Sequence, residues 1–123
     1  MDEDHKQCRG PCKRVLPATS FASRRGDCRE CRRSQDLLRR YGVTLQEFNT
    51  LFDYQRGECA VCHRHPAKQR FAVDHDHTTG AVRGLLCRRC NLALGLFNDS
   101  TDLLWKSIIY LRHHTHHNDS TTD

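Results

Sequence analysis

Apolar positions recur at helical spacing in four stretches of the chain and in two short extended runs. The stretch RRSQDLLRRYG places Leu37, Leu38 and Tyr41 on one side of a helix that ends at Gly42, which suits a C-terminal cap. A second helix is predicted from Thr44, because Glu47 three residues later completes a capping box. Gly57 is expected to end that helix. Its predicted apolar face consists of Leu45, Phe48, Leu51 and Phe52.

The second half of the chain is predicted to contain two strands and two helices. Strands are expected over 70–73 and 81–86, with the polar run DHDH and a turn at 78–80 between them. A short helix, NLALGLF, should follow Cys90, and Ser100 or Thr101 should cap a last amphipathic helix. Packing on its own domain is the expected role of that helix, with dimerisation as the alternative. Its apolar residues are Leu104, Trp105, Ile108, Ile109 and Leu111.

The cysteines change this outline into a zinc-stabilised one. A chain of 123 residues that is 37% hydrophobic buries little apolar surface, so an additional staple is expected. Disulfide frameworks rarely show closely spaced pairs, whereas such pairs present thiolates tetrahedrally to zinc. Two structural zinc sites with no open coordination position are therefore predicted. Their ligands are Cys8, Cys12, Cys28 and Cys31 for one, and Cys59, Cys62, Cys87 and Cys90 for the other.

Charge and the chain start narrow the class of protein. The N-terminus MDEDHKQ lacks the apolar region of a signal peptide, and no segment is long enough to span a membrane. We therefore expect a cytoplasmic protein without membrane partners, in a reducing compartment that favours zinc over disulfides. The formal charge of +5 would be largely cancelled by two zinc–thiolate sites. Basic residues concentrate near the N-terminal end, where phosphate contacts are predicted and a solvated helix face is the alternative. They are Arg24, Arg25, Arg32, Arg33, Arg39 and Arg40.

The run VDHDHTTG at 73–80 concentrates groups that bind metals or carry protons. Magnesium takes oxygen ligands and keeps several waters, so one carboxylate and one amide oxygen would suffice. Asn91, expected at the start of the helix after Cys90, could fold back towards this run. A histidine beside the cation could take a proton from water, since its reference pKa is near neutrality. Phosphodiester hydrolysis is the predicted reaction class, and a solvated edge strand is the alternative.

The same motifs resemble the endonuclease VII branch of the HNH, or His-Me finger, nucleases. The segments CAVC (59–62), VDHDH (73–77) and VRGLLCRRCN (82–91), followed by LALG, carry the resemblance over about residues 57–112. It implies a ββα-metal fold over the second zinc. It also implies that Asp74 and Asn91 bind a catalytic Mg2+ or Mn2+, that His75 is the general base, and that His77 lies near the scissile phosphate.

The resemblance leaves some roles open. Asp76 would orient a histidine, contact the metal ligands without binding the metal, or serve as an alternative metal ligand. Arg83 would contact a phosphate or form a surface salt bridge. We predict a small zinc-stabilised α+β protein in three regions. These are a four-cysteine zinc unit with a basic helix over 1–44, a nuclease domain over 45–112 and a disordered tail over 113–123 whose histidines are solvated.

The predicted function is that of a divalent-metal-dependent DNA endonuclease in a phage or its bacterial host. It would resolve branched DNA, such as Holliday junctions, or nick duplex DNA, as a monomer or a homodimer. The alternative is a non-catalytic zinc-finger adaptor that binds nucleic acid.

Overall fold

The computed structural model describes residues 4–22 and 24–114. The chain forms two compact units, Met1–Thr50 and Leu51–Asp123. They divide within helix α2, Leu45–Tyr54, whereas the predicted domain limit lies just before this helix. The predicted domains therefore remain a prediction, and the two units are described separately.

A short hairpin and a helix form the first unit. Strand β1, His5–Gln7, pairs antiparallel with β2, Val15–Pro17. Helix α1, Arg29–Tyr41, begins after Cys28, whose side chain accepts a hydrogen bond from the Cys31 N–H. Gly42 ends it in the left-handed conformation, φ 71°, and donates its N–H to the Leu38 carbonyl at 2.9 Å. The predicted cap is confirmed; the hairpin was not predicted, because three-residue strands show no usable periodicity.

Helix α2 begins as its capping box predicts. The Thr44 N–H donates to Glu47 Oε1 at 2.8 Å, and the Glu47 N–H donates to Thr44 Oγ1 at 3.0 Å. Phe48, on the predicted apolar face, is fully buried. Leu38, predicted to share an apolar side with Leu37, is half exposed. The other buried side chains of the first unit are Cys8, Phe21, Cys28, Cys31, Leu37 and Val43.

The second unit contains the expected strand pair. Strand β3, Ala72–His75, pairs antiparallel with β4, Val82–Leu86, and places Val73 opposite Leu85. The register shifts between Asp74 and His75. Residues Lys68–Arg70 form a 3-10 turn, so the first strand begins two residues later than the sequence predicts. The core of this unit comprises Cys59, Phe71, Val73, Leu85, Leu86 and Cys87.

Two helices follow β4. Helix α3, Arg88–Leu96, begins after Cys87, whose side chain accepts from the Cys90 N–H, and it packs against both β3 and β4. Asn91 is therefore the fourth residue of α3 and not its first. Helix α4, Thr101–His114, is capped by Ser100, whose Oγ accepts from the Leu103 N–H at 3.0 Å. The succession β3, β4, α3 is the predicted ββα arrangement, in a small α+β chain.

The apolar residues of α4 are largely solvent-accessible. Trp105 is 58% exposed and Ile109 is 49% exposed, so among residues 4–22 and 24–114 the expected packing of this face on its own domain is not seen. The oligomeric state, monomer or homodimer, remains a prediction. His113 and His114, assigned by prediction to a disordered tail, belong to α4, and the rest of that tail lies outside the described residues. Across residues 4–22 and 24–114, no helix is both long and apolar enough to cross a membrane.

Candidate active site and zinc centres

Each predicted cysteine set converges on one point. The four Sγ atoms of each set lie within 4.8 Å of one another. The Sγ atoms of Cys8 and Cys31 are 3.8 Å apart, and so are those of Cys62 and Cys87. A tetrahedron with Zn–S bonds of about 2.3 Å has edges of about 3.8 Å. Both sets therefore have the donor type and spacing that suit Zn2+.

Backbone N–H groups prepare the thiols of the second set for a cation. Cys59 Sγ accepts from the N–H groups of Val61 at 3.4 Å and Cys87 at 3.3 Å. Burial raises the pKa of Cys59, but the hydrogen bonds from Cys87, Cys62 and Val61 outweigh burial and lower it to about 6. Burial raises the pKa of Cys90 to about 12. A bound cation is therefore needed to bring all four sulfurs to the thiolate form.

Asp74 and Arg83 form the centre of the candidate active site. Asp74 lies on β3 and its side chain is only 12% exposed. Arg83, on β4, donates Nε to Oδ2 at 2.6 Å and Nη2 to Oδ1 at 3.0 Å. The two-pronged contact uses the complementary geometry of a guanidinium and a carboxylate. This hydrogen bonding raises the pKa of Arg83 above its usual range. The salt bridge considered for Arg83 is present, with Asp74 as its partner.

Asp99 extends this centre and was not predicted from the sequence. Arg83 Nη2 also donates to Asp99 Oδ2 at 3.1 Å. The same oxygen lies 3.6 Å from Nδ1 of His77. Asp99 is the second of two adjacent non-glycine residues with positive φ, following Asn98. An Asn-Asp pair after a helix is the only local signal of this turn, since both residues tolerate the left-handed conformation.

The remaining predicted residues occupy the same hairpin and helix. His75 is the last residue of β3, directly after the register shift, and is partly buried. Such irregularities re-aim side chains relative to a regular strand. His77 and Asn91 are exposed. Asn91 lies on α3, the helix that packs against the hairpin. The structure thus joins Asp74 to Arg83, places His77 near Asp99, the second partner of Arg83, and carries Asn91 on the adjoining helix.

Asp76 shapes the turn between the strands. Its Oδ1 accepts the N–H groups of Thr78 at 2.8 Å and Thr79 at 2.9 Å. Its carbonyl accepts the Gly80 N–H at 2.7 Å. The bonds from Thr79 and Thr78 lower the pKa of Asp76, because they favour the carboxylate. This gives Asp76 a structural role between the two histidines.

The donors of the site fit a hard divalent cation. Asp74 offers carboxylate oxygens and Asn91 an amide oxygen, which are the ligand types that Mg2+ and Mn2+ take from proteins. Both Asp74 oxygens accept from Arg83. A cation at Asp74 would therefore share these oxygens with the Arg83 guanidinium.

The predicted N-terminal arginines fall into two groups. Arg24 and Arg25 line a cavity of about 330 Å³, with Lys6, Gln7, Arg9 and Gly26 as its other lining residues. Arg39 is paired with Asp36 at 2.6 Å. Arg33 lies over the Phe48 ring, 4.6 Å from its centroid, and burial lowers its pKa. The structure thus concentrates accessible positive charge in the loop of the first unit and compensates or covers part of it along α1.

Several known proteins are similar to this chain. The gene 59 protein of Mycobacterium phage D29 is 45% identical over 78 residues, which cover 62% of this chain and 47% of that protein. The gene 59 protein of Mycobacterium phage L5 is 36% identical over 127 aligned positions, covering 89% and 77%. The matched region thus spans about half the length of the D29 protein. The crystal structure of the ββα-Me type II restriction endonuclease Hpy99I aligns with a TM-score of 0.45 and 26% identity, covering 91% of this chain and 67% of that one.

The sequence profile of the recombination endonuclease VII family matches residues 34–113. This region covers well over half of the chain and includes the whole β3–β4–α3 motif with its cysteine set. The chain therefore belongs to the recombination endonuclease VII family.

Proposed function

We propose that this protein is a divalent-metal-dependent DNA endonuclease that hydrolyses phosphodiester bonds. One observation carries the proposal. In a member of this family, the ββα motif pairs the Asp74 carboxylate with the Arg83 guanidinium and places His75 next to Asp74 in the chain. His77 lies near Asp99, the second partner of Arg83. A protein that only binds nucleic acid has no need of this combination.

His75 is the proposed general base and Asp74 and Asn91 the proposed ligands of Mg2+ or Mn2+. When bound, such an ion supplies positive charge that stabilises the phosphate as it reacts. A ring nitrogen of His75 takes a proton from water as the new P–O bond forms. The bond to the 3′ oxygen breaks and that oxygen takes a proton from a water molecule, which gives 5′ phosphate and 3′ hydroxyl ends. His77 and Arg83 hold the phosphate by contacts to its oxygens.

Both cysteine sets are proposed to hold structural Zn2+. Four thiolates fill a tetrahedral zinc and leave no position for water, so these ions stabilise the units without taking part in cleavage. The second set joins the segment before β3 to the start of α3, through Cys62 and Cys87. Zinc therefore fixes the helix that carries Asn91 relative to the hairpin that carries Asp74.

Substrate structure is tested by offering the purified chain three DNAs: a four-way junction, a linear duplex and a single strand. Each is incubated with Mg2+ or Mn2+, with EDTA as the control, and the molecular mass is measured in parallel. Selective, paired cuts in the junction by a dimer support resolution of branched DNA, and single cuts in duplex by a monomer support nicking. No cleavage of any substrate would leave the non-catalytic adaptor as the better description. Since the relatives are phage proteins, the proposed setting is the cytoplasm of an infected bacterium.

Affinity for DNA is proposed to come largely from the cavity lined by Arg24 and Arg25. Two further cations, Lys6 and Arg9, line it, and no acidic side chain does so among the described residues. Lys6 Nζ donates to the Arg25 carbonyl at 3.1 Å, and the Arg9 N–H donates to the Gly26 carbonyl at 2.7 Å. These contacts fix the cations around a concave surface, where they can meet backbone phosphates without reading sequence.

The salt dependence of binding tests this cavity. Binding is measured without added Mg2+ or Mn2+, with a zinc-loaded His75→Ala chain, so that no cleavage occurs. Arg9→Gln should reduce the slope of log K against log[salt] by about 1, since one phosphate contact is lost. Arg39→Gln is the control, because Arg39 is already paired with Asp36. Gly26→Ala moves Arg9 without changing charge, since a Cβ there would lie 2.8 Å from Arg9 Cδ. An equal fall in slope for Arg39→Gln would contradict the assignment.

A further inference from the structure

The Arg83 guanidinium is shared between two carboxylates. Its Nε and Nη2 meet both oxygens of Asp74, and Nη2 also donates to Asp99 Oδ2 at 3.1 Å. Three of the about five guanidinium N–H groups are thereby used. No partner for Nη1 occurs within the part of the chain that the structure describes. Arg83 is thus held on one side and has donors left for a further acceptor.

Asp99 is held towards Arg83 by an unusual turn. Asn98 and Asp99 have φ of 52° and 57°, a region that side chains other than glycine seldom occupy. The Asp99 N–H donates to the Leu94 carbonyl and the Asn98 N–H to the Gly95 carbonyl, both at 2.9 Å. The turn therefore folds back onto the end of α3. The turn brings the Asp99 carboxylate to Arg83 of β4, where the Asp99 side chain is only 20% exposed.

A cation bound to Asp74 would weaken the hydrogen bonds between that carboxylate and Arg83. The cation and the Arg83 guanidinium would then compete for the Asp74 oxygens, and their like charges repel each other. Asp99 has no place among the proposed ligands, so its contact with Arg83 does not use the oxygens that the cation would occupy. The carboxylate of Asp99 also lies near His77, the other residue proposed to meet the phosphate.

We propose that Asp99 is a positioning residue, which retains Arg83 in the cleavage site when a cation occupies Asp74 and so keeps the guanidinium available to the phosphate. This inference rests on the proposed nuclease function, and it assigns Asp99 no contact with substrate or metal. Asp99 acts through Arg83, and secondarily by orienting His77.

The test is a double-mutant cycle between Asp99 and Arg83, with cleavage measured at saturating cation. Asp99→Asn keeps the shape of the side chain and removes its charge. It should lower kcat about tenfold, in line with the loss of a partly exposed charge-assisted hydrogen bond, and leave KM nearly unchanged. In an Arg83→Ala background the same substitution should have little further effect. Asp102→Asn is the matched control, because its partner Lys106 is on the same exposed helix, and it should cleave like the wild type.

Three results would overturn the proposal. An equal loss from Asp99→Asn with and without Arg83 would show that Asp99 does not act through it. A loss that follows zinc content or unfolding would make the role purely structural. A large rise in the cation concentration needed for cleavage would make Asp99 a ligand.

A readout without cleavage separates this inference from the nuclease proposal. In cation-free protein, ¹⁵N NMR should show faster exchange of the Arg83 Nη2 hydrogens, one of which donates to Asp99, in Asp99→Asn than in the wild type or Asp102→Asn. If the wild type cleaves nothing but this difference is found, the nuclease proposal fails while the Asp99–Arg83 contact stands. Unchanged exchange would refute the contact itself.

Discussion

Gln55 supports the hairpin of the active site through one side-chain amide. Its Oε1 accepts the Leu85 N–H at 2.9 Å, and its Nε2 donates to the carbonyls of Leu85 at 3.0 Å and Glu58 at 2.8 Å. The amide therefore pairs with the outer edge of β4 as a neighbouring strand would. A Cβ on Gly84 would lie 3.0 Å from Oε1, so glycine at that position gives the amide room. Removal of this side chain should weaken the hairpin that carries Asp74 and Arg83.

The loss of stability in Gln55→Ala follows from the hydrogen-bonding groups that lose their partner. The Leu85 carbonyl keeps a donor, the Ala60 N–H at 3.1 Å, but the Leu85 N–H loses its partner. Leu85 is fully buried, and an unsatisfied buried donor costs about 1–3 kcal/mol. Water replaces the other lost contacts only in part, so a total of about 3 kcal/mol is expected. For a domain of this size that lowers the melting temperature by at least about 10 °C.

Denaturant unfolding of the zinc-loaded chain measures this effect. Gln46→Ala is the matched control, since Gln46 is an exposed residue of α2, and it should leave stability nearly unchanged. Below its unfolding temperature, Gln55→Ala should retain zinc and cleavage. A loss of under about 0.5 kcal/mol, within the range of surface substitutions, would refute the strand-like role of the Gln55 amide.

Three further predictions concern the zinc sites and the turns. Cys59→Ser should release about one zinc ion per chain and unfold the second unit, as elemental analysis and circular dichroism would show; retention of both ions would contradict the ligand set. The Asp76 carboxyl should titrate below its ordinary range by ¹³C NMR, so its contribution to stability is present above the unfolded-state pKa and is lost as pH falls through the lowered folded value; a raised midpoint would exclude the turn hydrogen bonds. Gly42→Ala should destabilise by about 1 kcal/mol because of its left-handed φ, whereas Gly95→Ala inside α3 should stabilise by up to about 1 kcal/mol; equal effects would show that conformation at these positions is not decisive.

Local signals in the sequence predicted local structure well. The capping box at Thr44 and the cap at Gly42 depend on residues within one helical turn, and both form as predicted. The cysteine sets could be predicted equally well from the sequence, because the spacing within each pair reflects the chemistry of a single ion.

Features that depend on residues distant in the sequence were harder to predict. Strand β3 lies two residues beyond its predicted start, since its limits are set by pairing with β4. Arg33 has the pattern of a solvated helix residue, yet its guanidinium lies over Phe48, which the helical pattern of α1 alone does not reveal. Asp99 belongs to no motif and becomes interpretable only when the turn after α3 brings it to Arg83.

The most direct test of the account compares the wild type with His75→Ala on supercoiled plasmid, in Mg2+ or Mn2+ and in EDTA. The wild type should convert the plasmid to nicked or linear DNA only when a cation is present. His75→Ala should cleave at least about 100-fold more slowly, as expected for loss of a general base, while zinc content and DNA binding by gel shift stay unchanged. Wild-type rates from His75→Ala, or an inactive wild type in both cations, would contradict the proposed endonuclease mechanism.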